Sequence, residues 1–317
     1  MIRLSPGQLG AVCAFIAVMF FAVNDTTIKF LSGDYALHQV VLIRSCLGLV
    51  LTMCFIAPFN GGFAVFRTKR LRQHLLRGGF VVVANMTFFL GLAAMPLADA
   101  TAIFFISPIL ITLFSIIFLR ESVGPWRWTA IFVGFLGVII MIRPGSGSFQ
   151  YASIYPLLAA LSYASLHTMT RRMGATESAA TLSVYIQVTF ILVTLIIGLA
   201  IGDGRFGNQN DPALKFLLRA WSWPPSADYG YFLIIGVGVA AGGFLISQAY
   251  KVAEAAFVAP FEYAAMPLAI VLGILVFDEW PDVIAYIGMT FIIGAGIITI
   301  WRESVNRQVA QRPRARR

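Results

Sequence analysis

Charge is scarce in this chain. Asp, Glu, Lys and Arg make up 12% of its 317 residues, about half the ~25% of an ordinary soluble domain. A water-soluble globule of this size could not cover itself with so few. Histidine is scarcer still. His38, His74 and His167 lie far apart, and no H-E-x-x-H run is present, so no zinc site emerges. The three cysteines, Cys13, Cys46 and Cys54, sit in apolar stretches without C-x-x-C spacing, which argues against a disulfide framework. Nucleophile elbows and phosphate-binding P-loops are missing too. A membrane-embedded enzyme would need such a cluster, and ATP-driven transport by this chain alone would need the loop. No cofactor is expected.

What the chain has in excess is apolar residues, 59% by count. Such hydropathy excludes disorder, and the residues fall in blocks near the ~20 needed to cross a bilayer. Ten segments stand out: 10–31, 38–57, 75–94, 97–119, 127–142, 151–170, 180–201, 230–251, 255–277 and 282–301. Each should be helical, because the bilayer core offers no water to satisfy free backbone groups. Two joints are very short, Met95-Pro96 and Lys251 to Glu254. The start of the chain imitates a signal peptide, but equally apolar segments follow throughout, so it reads as a first span.

Orientation follows from Lys and Arg. With the N-terminus inside, seventeen of them fall on inner sides and five on outer sides, with Arg44 left inside a span. This puts both termini in the cytoplasm and supports an even number of spans. The basic clusters, the tail at 304–317 included, are then topology determinants and not a nucleic-acid surface. The long loop at 202–229 falls outside. Within it, Leu214, Leu217, Leu218 and Trp221 follow Pro212 at helical spacing, as in a helix lying on the membrane surface or an ordered linker between halves of a helix hairpin.

The chain also repeats itself. Ala94 to Ala100 matches Ala249 to Ala255 at an offset of 155, and Phe118 to Glu121 lines up with Val276 to Glu279 at 158. Near the front, Phe21-Ala22 and Lys29 match Tyr163-Ala164 and Arg171 at 142. Five spans make an odd unit, so a second copy enters the membrane from the opposite side. Inverted repeats recur in secondary transporters, where two equivalent halves expose one central site alternately.

The ten spans, the paired units, the Ala-x3-Ala-[Asp/Glu]-Ala joints and the acidic ends at Glu121 and Glu279 make the chain similar to the drug/metabolite transporter superfamily. The units resemble two EamA-type domains, at 1–145 and 146–303. The resemblance implies a carrier for small organic solutes, driven by protons or by exchange. The expectation is therefore an all-α integral membrane protein of ten transmembrane helices, arranged as two inverted five-helix repeats in the inner membrane.

An ionisable residue inside a span is expensive and marks a candidate site. Asp25 and Arg44 lie about 9 Å deep at one level of a helical hairpin, where they could pair. Lys29, one turn from Asp25, is a second possible partner. Glu262, beside Pro260, has no basic neighbour in its own span and suits a proton or cation site. Gln187, the near counterpart of Arg44, and Asn85, at mid-span, complete the polar set. Tyr263 adds an aromatic wall. Phe21, Asn24, Tyr163 and His167 are weaker candidates; His167 occupies the repeat position of Asp25. Charges of both signs beside aromatic walls suit a small polar metabolite, from amino-acid-like zwitterions to cationic or aromatic solutes such as riboflavin or S-adenosylmethionine, which some similar carriers move. A passive channel is the rival reading. One chain holding both repeats can act as a monomer, and glycine-rich helix faces also permit a homodimer.

Overall fold

The computed structural model describes residues 5–121, 124–142 and 151–311. The segment at 143–150, where the sequence reading put the joint between two repeats, and the end of the basic tail lie outside the described residues. All regular structure among the described residues is helical. The first five segments form α1 (Pro6–Leu31), α2 (Leu37–Leu51), α3 (Leu71–Ala94), α4 (Leu97–Phe104) with α5 (Ser107–Phe114), and α6 (Pro125–Ile142). The chain continues with α7 (Ile154–Met173), α8 (Ala179–Ile201), α9 (Pro212–Leu218) and α10 (Tyr229–Val252). It closes with α11 (Ala255–Val258), α12 (Ala265–Phe277) and α13 (Val283–Gln311).

Local signals set several boundaries. Ser5 caps α1 in a capping box with Gln8, with Pro6 in the first turn where its missing N–H costs nothing. Ser178 caps α8 through the Thr181 amide, and Asp211 caps α9 through the Leu214 amide. α2 runs on through a wide turn at Thr52–Ile56 and a tight one at Ala57–Asn60.

Seven helical stretches are long and apolar enough to cross a bilayer: Pro6–Leu31, Leu37–Asn60, Leu71–Ala94, Leu97–Leu119, Ala179–Ile201, Ser226–Val252 and Ala255–Phe277. Apolar side chains such as Phe15, Phe118, Leu199 and Leu275 cover their outer faces, as a lipid solvent requires.

One expectation needs correcting. The segments at 97–119 and 255–277 are not continuous helices. The first breaks at Phe105 and Ile106, just before Pro108; the second passes through a tight 3₁₀ stretch, Ala259–Ala264, that contains Pro260. Proline cannot donate the internal hydrogen bond and its ring crowds the preceding turn. The short helix expected in the 202–229 loop is present as α9. Ala213 and Phe216 are its fully buried residues, while Leu214 is exposed. The surrounding loop packs on protein and not on lipid alone: His38 contacts the Leu217 carbonyl at 3.1 Å, and Arg219 donates to the Ser32 carbonyl at 3.1 Å.

α1 packs against α10, α3 against α7, α2 against α8 and α10, α3 against α8, and α6 against α13. Glycine permits the close approaches. A Cβ on Gly137 of α6 would sit 2.6 Å from the Gly288 carbonyl of α13, and one on Gly242 of α10 would meet the Phe21 ring of α1 at 2.8 Å. The start of α1 lies beside the end of α10, since Gly10 faces Ala253. The two helices are antiparallel, so Lys29 and Lys251 sit at opposite ends of the molecule.

Candidate functional site

The helices enclose a cavity of about 1120 Å³, counting the space open to solvent. α1 contributes Phe21, Asn24 and Asp25; α2 contributes Arg44; α3 contributes Arg77, Asn85 and Phe89. α7 adds Tyr163 and His167, α8 adds Phe190, and the 3₁₀ stretch before α12 adds Glu262. Eight of the ten residues singled out from the sequence therefore face one space: Asp25, Arg44, Asn85, Glu262, Phe21, Asn24, Tyr163 and His167.

The other two face elsewhere. Gln187 is buried and donates to the Thr52 hydroxyl at 3.0 Å, tying α8 to the end of α2. Tyr263 stacks edge-on against Phe105, 5.5 Å between ring centroids, in the core shared with Met266, Met289 and Ile292. For Tyr263 the 3₁₀ geometry explains this, since neighbours in sequence there point about 120° apart and Glu262 already takes the cavity side.

The break around Pro260 places the Glu262 carboxylate among aromatic side chains. The Tyr250 hydroxyl donates to it, with the Tyr163 hydroxyl as a second hydrogen-bonding neighbour. The His167 ring lies 4.1 Å from both the Tyr163 and the Tyr250 rings, and neither ring nitrogen has a hydrogen-bond partner. Arg77, only 1% exposed, donates to the Thr170 hydroxyl and the Leu182 carbonyl, each at 2.8 Å.

Neither predicted partner of Asp25 pairs with it. Arg44 lies beyond ion-pair distance, close enough only for a longer-range coulombic interaction. Asn24 occupies one Asp25 oxygen at 3.0 Å, and the Arg44 guanidinium is held instead by the rings of Phe89 and Phe190. Lys29 turns away to Glu279, 2.8 Å distant.

That last contact belongs to a pair of matched clamps at the two ends of the molecule. At one end Lys29 also donates to the carbonyls of Leu92 and Met95, at 3.2 and 2.6 Å, while Glu279 accepts the Leu97 amide at the start of α4, at 2.8 Å. At the other end Arg171 approaches Glu121 at 3.4 Å and donates to the Lys251 carbonyl at 3.1 Å. Glu121 accepts the amides of Ala255 and Ala256 at the start of α11, each at 3.2 Å. Helix starts leave amides unfilled, so a carboxylate is the natural partner. Both glutamates are aimed by the same device. The preceding residues, Arg120 and Asp278, adopt left-handed backbone with φ of 56° and 54°, ending the helix and turning the next side chain across the interface.

Sequence reasoning missed Arg77, read as a topology determinant, and Phe89 and Phe190, two phenylalanines among many. A signal for Arg77 existed. Arg77, Val81, Asn85 and Phe88 lie on one stripe of α3 at helical period, and all four line the cavity.

Residues 8–143 match the EamA-like transporter family. Across nearly its whole length the chain is similar to a riboflavin transporter of Rhizobium johnstonii, 30% identical over 306 residues, covering 96% of this chain and 94% of the relative. It is also similar to an S-adenosylmethionine uptake transporter of Rickettsia prowazekii, 23% identical over 296 residues, covering 93% and 94%. A solved crystal structure shares the fold with a TM-score of 0.68 at 14% identity, covering 96% of this chain and 98% of that one.

Proposed function

The chain belongs to the EamA-like transporter family, within the drug/metabolite transporter superfamily, and from that premise we propose that it carries a flat, polar-substituted organic metabolite across the inner membrane by alternating access. Riboflavin is the first substrate to test. The observation that carries the reading is the cavity: Arg44, Arg77 and Glu262, all buried, and the half-buried Asp25 bring groups of both signs to a space with aromatic walls. S-adenosylmethionine is the second reading, favoured by the two carboxylates that face the cavity and would meet a cationic sulfonium.

In this reading α6, α7 and α13 complete ten spans, and the chain is two inverted five-helix halves. The helix pairings support it. Exchanging each helix of the first half for its counterpart turns the α1–α10 contact into α7–α3, and α2–α10 into α8–α3, while α2–α8 and α6–α13 map onto themselves. The distribution of Lys and Arg supports cytoplasmic termini, which puts the Lys29 clamp outside and the Arg171 clamp inside. Opening one clamp while the other holds would expose the cavity to one side at a time. Glu262, buried and hydrogen-bonded by tyrosine, is the group suited to carry a coupling proton. Both halves lie in one chain, so a monomer suffices for this cycle.

The test is uptake of labelled riboflavin into proteoliposomes, with S-adenosylmethionine and amino acids as competitors. Saturable uptake stimulated by an imposed pH gradient is expected. Glu262→Gln should abolish that stimulation while leaving substrate-for-substrate exchange. Single-channel currents, or no uptake of any compound in the panel, would overturn the reading.

A further inference from the structure

Arg44 differs from every other buried cation around the cavity in what it lacks. It is 2% exposed, and its guanidinium carbon lies 5.2 Å from the Phe89 ring centroid and 5.0 Å from that of Phe190. The aromatic rings thus attract the charge itself. In-plane acceptors are what is missing. A guanidinium carries five N–H donors. Here one of them reaches the Asn85 side-chain oxygen at 3.4 Å, the long limit for such a bond. Among the described residues the buried Nε–H has no acceptor, and no carboxylate stands within ion-pair distance. Arg77, by contrast, has two good acceptors from the protein, at 2.8 Å each.

A buried cation with empty donors is costly, and Arg44 lines the cavity. Its planar fork fits two adjacent acceptor atoms in one plane. A flat ligand body would lie along the adjoining wall, where Phe88, Phe104 and Tyr163 follow one another at centroid spacings of 4.8 and 5.1 Å. Asp25 and Glu262 remain for donor or cationic groups elsewhere on the ligand.

We propose that Arg44, with Asn85 beside it, is the subsite that binds a planar substrate edge carrying two adjacent acceptors, either a carboxylate or the carbonyl and ring nitrogen of a heteroaromatic. This deepens the transport reading and rests on it. The experiment measures dissociation constants of the purified full chain for riboflavin, 1-deazariboflavin and 5-deazariboflavin, and for S-adenosylmethionine and its decarboxylated form. Each deaza analogue replaces one ring acceptor by C–H, and decarboxylation removes the carboxylate with both its acceptors and its charge.

Wild-type protein should bind the parent compound of one set about tenfold or more tightly than an analogue, the value of a charged hydrogen bond. The set that discriminates identifies the acceptor as ring or carboxylate. Arg44→Gln should erase that preference. Arg44→Lys, which keeps the charge and loses the fork, should restore it for a carboxylate and not for a ring edge. The wild-type comparison stands even if a variant does not fold. Equal binding of parents and analogues, binding of none of them, or a preference that survives Arg44→Gln overturns the proposal. Riboflavin uptake without acceptor preference would remove this subsite and leave transport standing. Acceptor-dependent binding without uptake would do the reverse.

Discussion

Lys29 and Glu279 meet at 2.8 Å with side chains 10% and 24% exposed, whereas Arg171 and Glu121 meet at 3.4 Å with side chains 31% and 10% exposed. The backbone contacts run the other way. Glu279 accepts one amide, that of Leu97, while Glu121 accepts two, from Ala255 and Ala256. One end of the molecule is thus held mainly by a short, shielded ion pair, and the other mainly by a carboxylate filling a helix start. Two ends of the molecule are closed by similar residues with different chemistry. The two closures can therefore be weakened separately, and in the proposed cycle their inequality would bias which side of the cavity opens.

The largest effect is expected at the shielded pair. Glu279→Ala leaves the Leu97 amide without its acceptor and Lys29 with carbonyls alone, a loss of about 2 kcal/mol. Such a bias should slow substrate turnover in proteoliposomes about tenfold. Glutamine sharpens the contrast, because it keeps an acceptor and removes the charge. Glu279→Gln should reproduce much of the alanine defect, while Glu121→Gln should cost about 1 kcal/mol or less, read as a turnover within severalfold of wild type. Equal defects in the two glutamine variants would break the comparison. Smaller again is Arg171→Met, whose longer pair, with the arginine 31% exposed, is worth below about 1 kcal/mol; Lys29→Met should slow uptake more. Smallest is the response to salt. Raising it should loosen the Arg171 end more than the Lys29 end, by about twofold in reagent access to the cavity, because exposed charges are screened first.

Much of the fold was legible because lipid makes strong demands. Apolar blocks of spanning length located the helices, and the short joints at Met95-Pro96 and Lys251 to Glu254 appear as the gaps before α4 and α11. The breaks inside the segments at 97–119 and 255–277 were harder, because hydropathy averages over a turn; only Pro108 and Pro260 hinted at them. Charged and amide residues within spans pointed to the cavity, since burying them needs a reason. Partner choice was not legible. Lys29 prefers Glu279 over the nearer Asp25 only because Asp278 reverses the backbone 250 residues downstream, and no spacing rule contains that. Aromatic abundance hid Phe89 and Phe190, and the positive-inside rule claimed Arg77 before its place on the α3 stripe was considered.

The central claim is that the two clamps close opposite sides of one cavity. Its most direct test replaces Cys13, Cys46 and Cys54, introduces Ile186→Cys in the cavity lining, and measures labelling by an impermeant maleimide from each side of sealed membrane vesicles. Glu279→Ala should raise labelling from the outer side, and Glu121→Ala from the inner side. Labelling that rises from the same side in both variants, or changes in neither while thermal stability falls in both, would contradict the account.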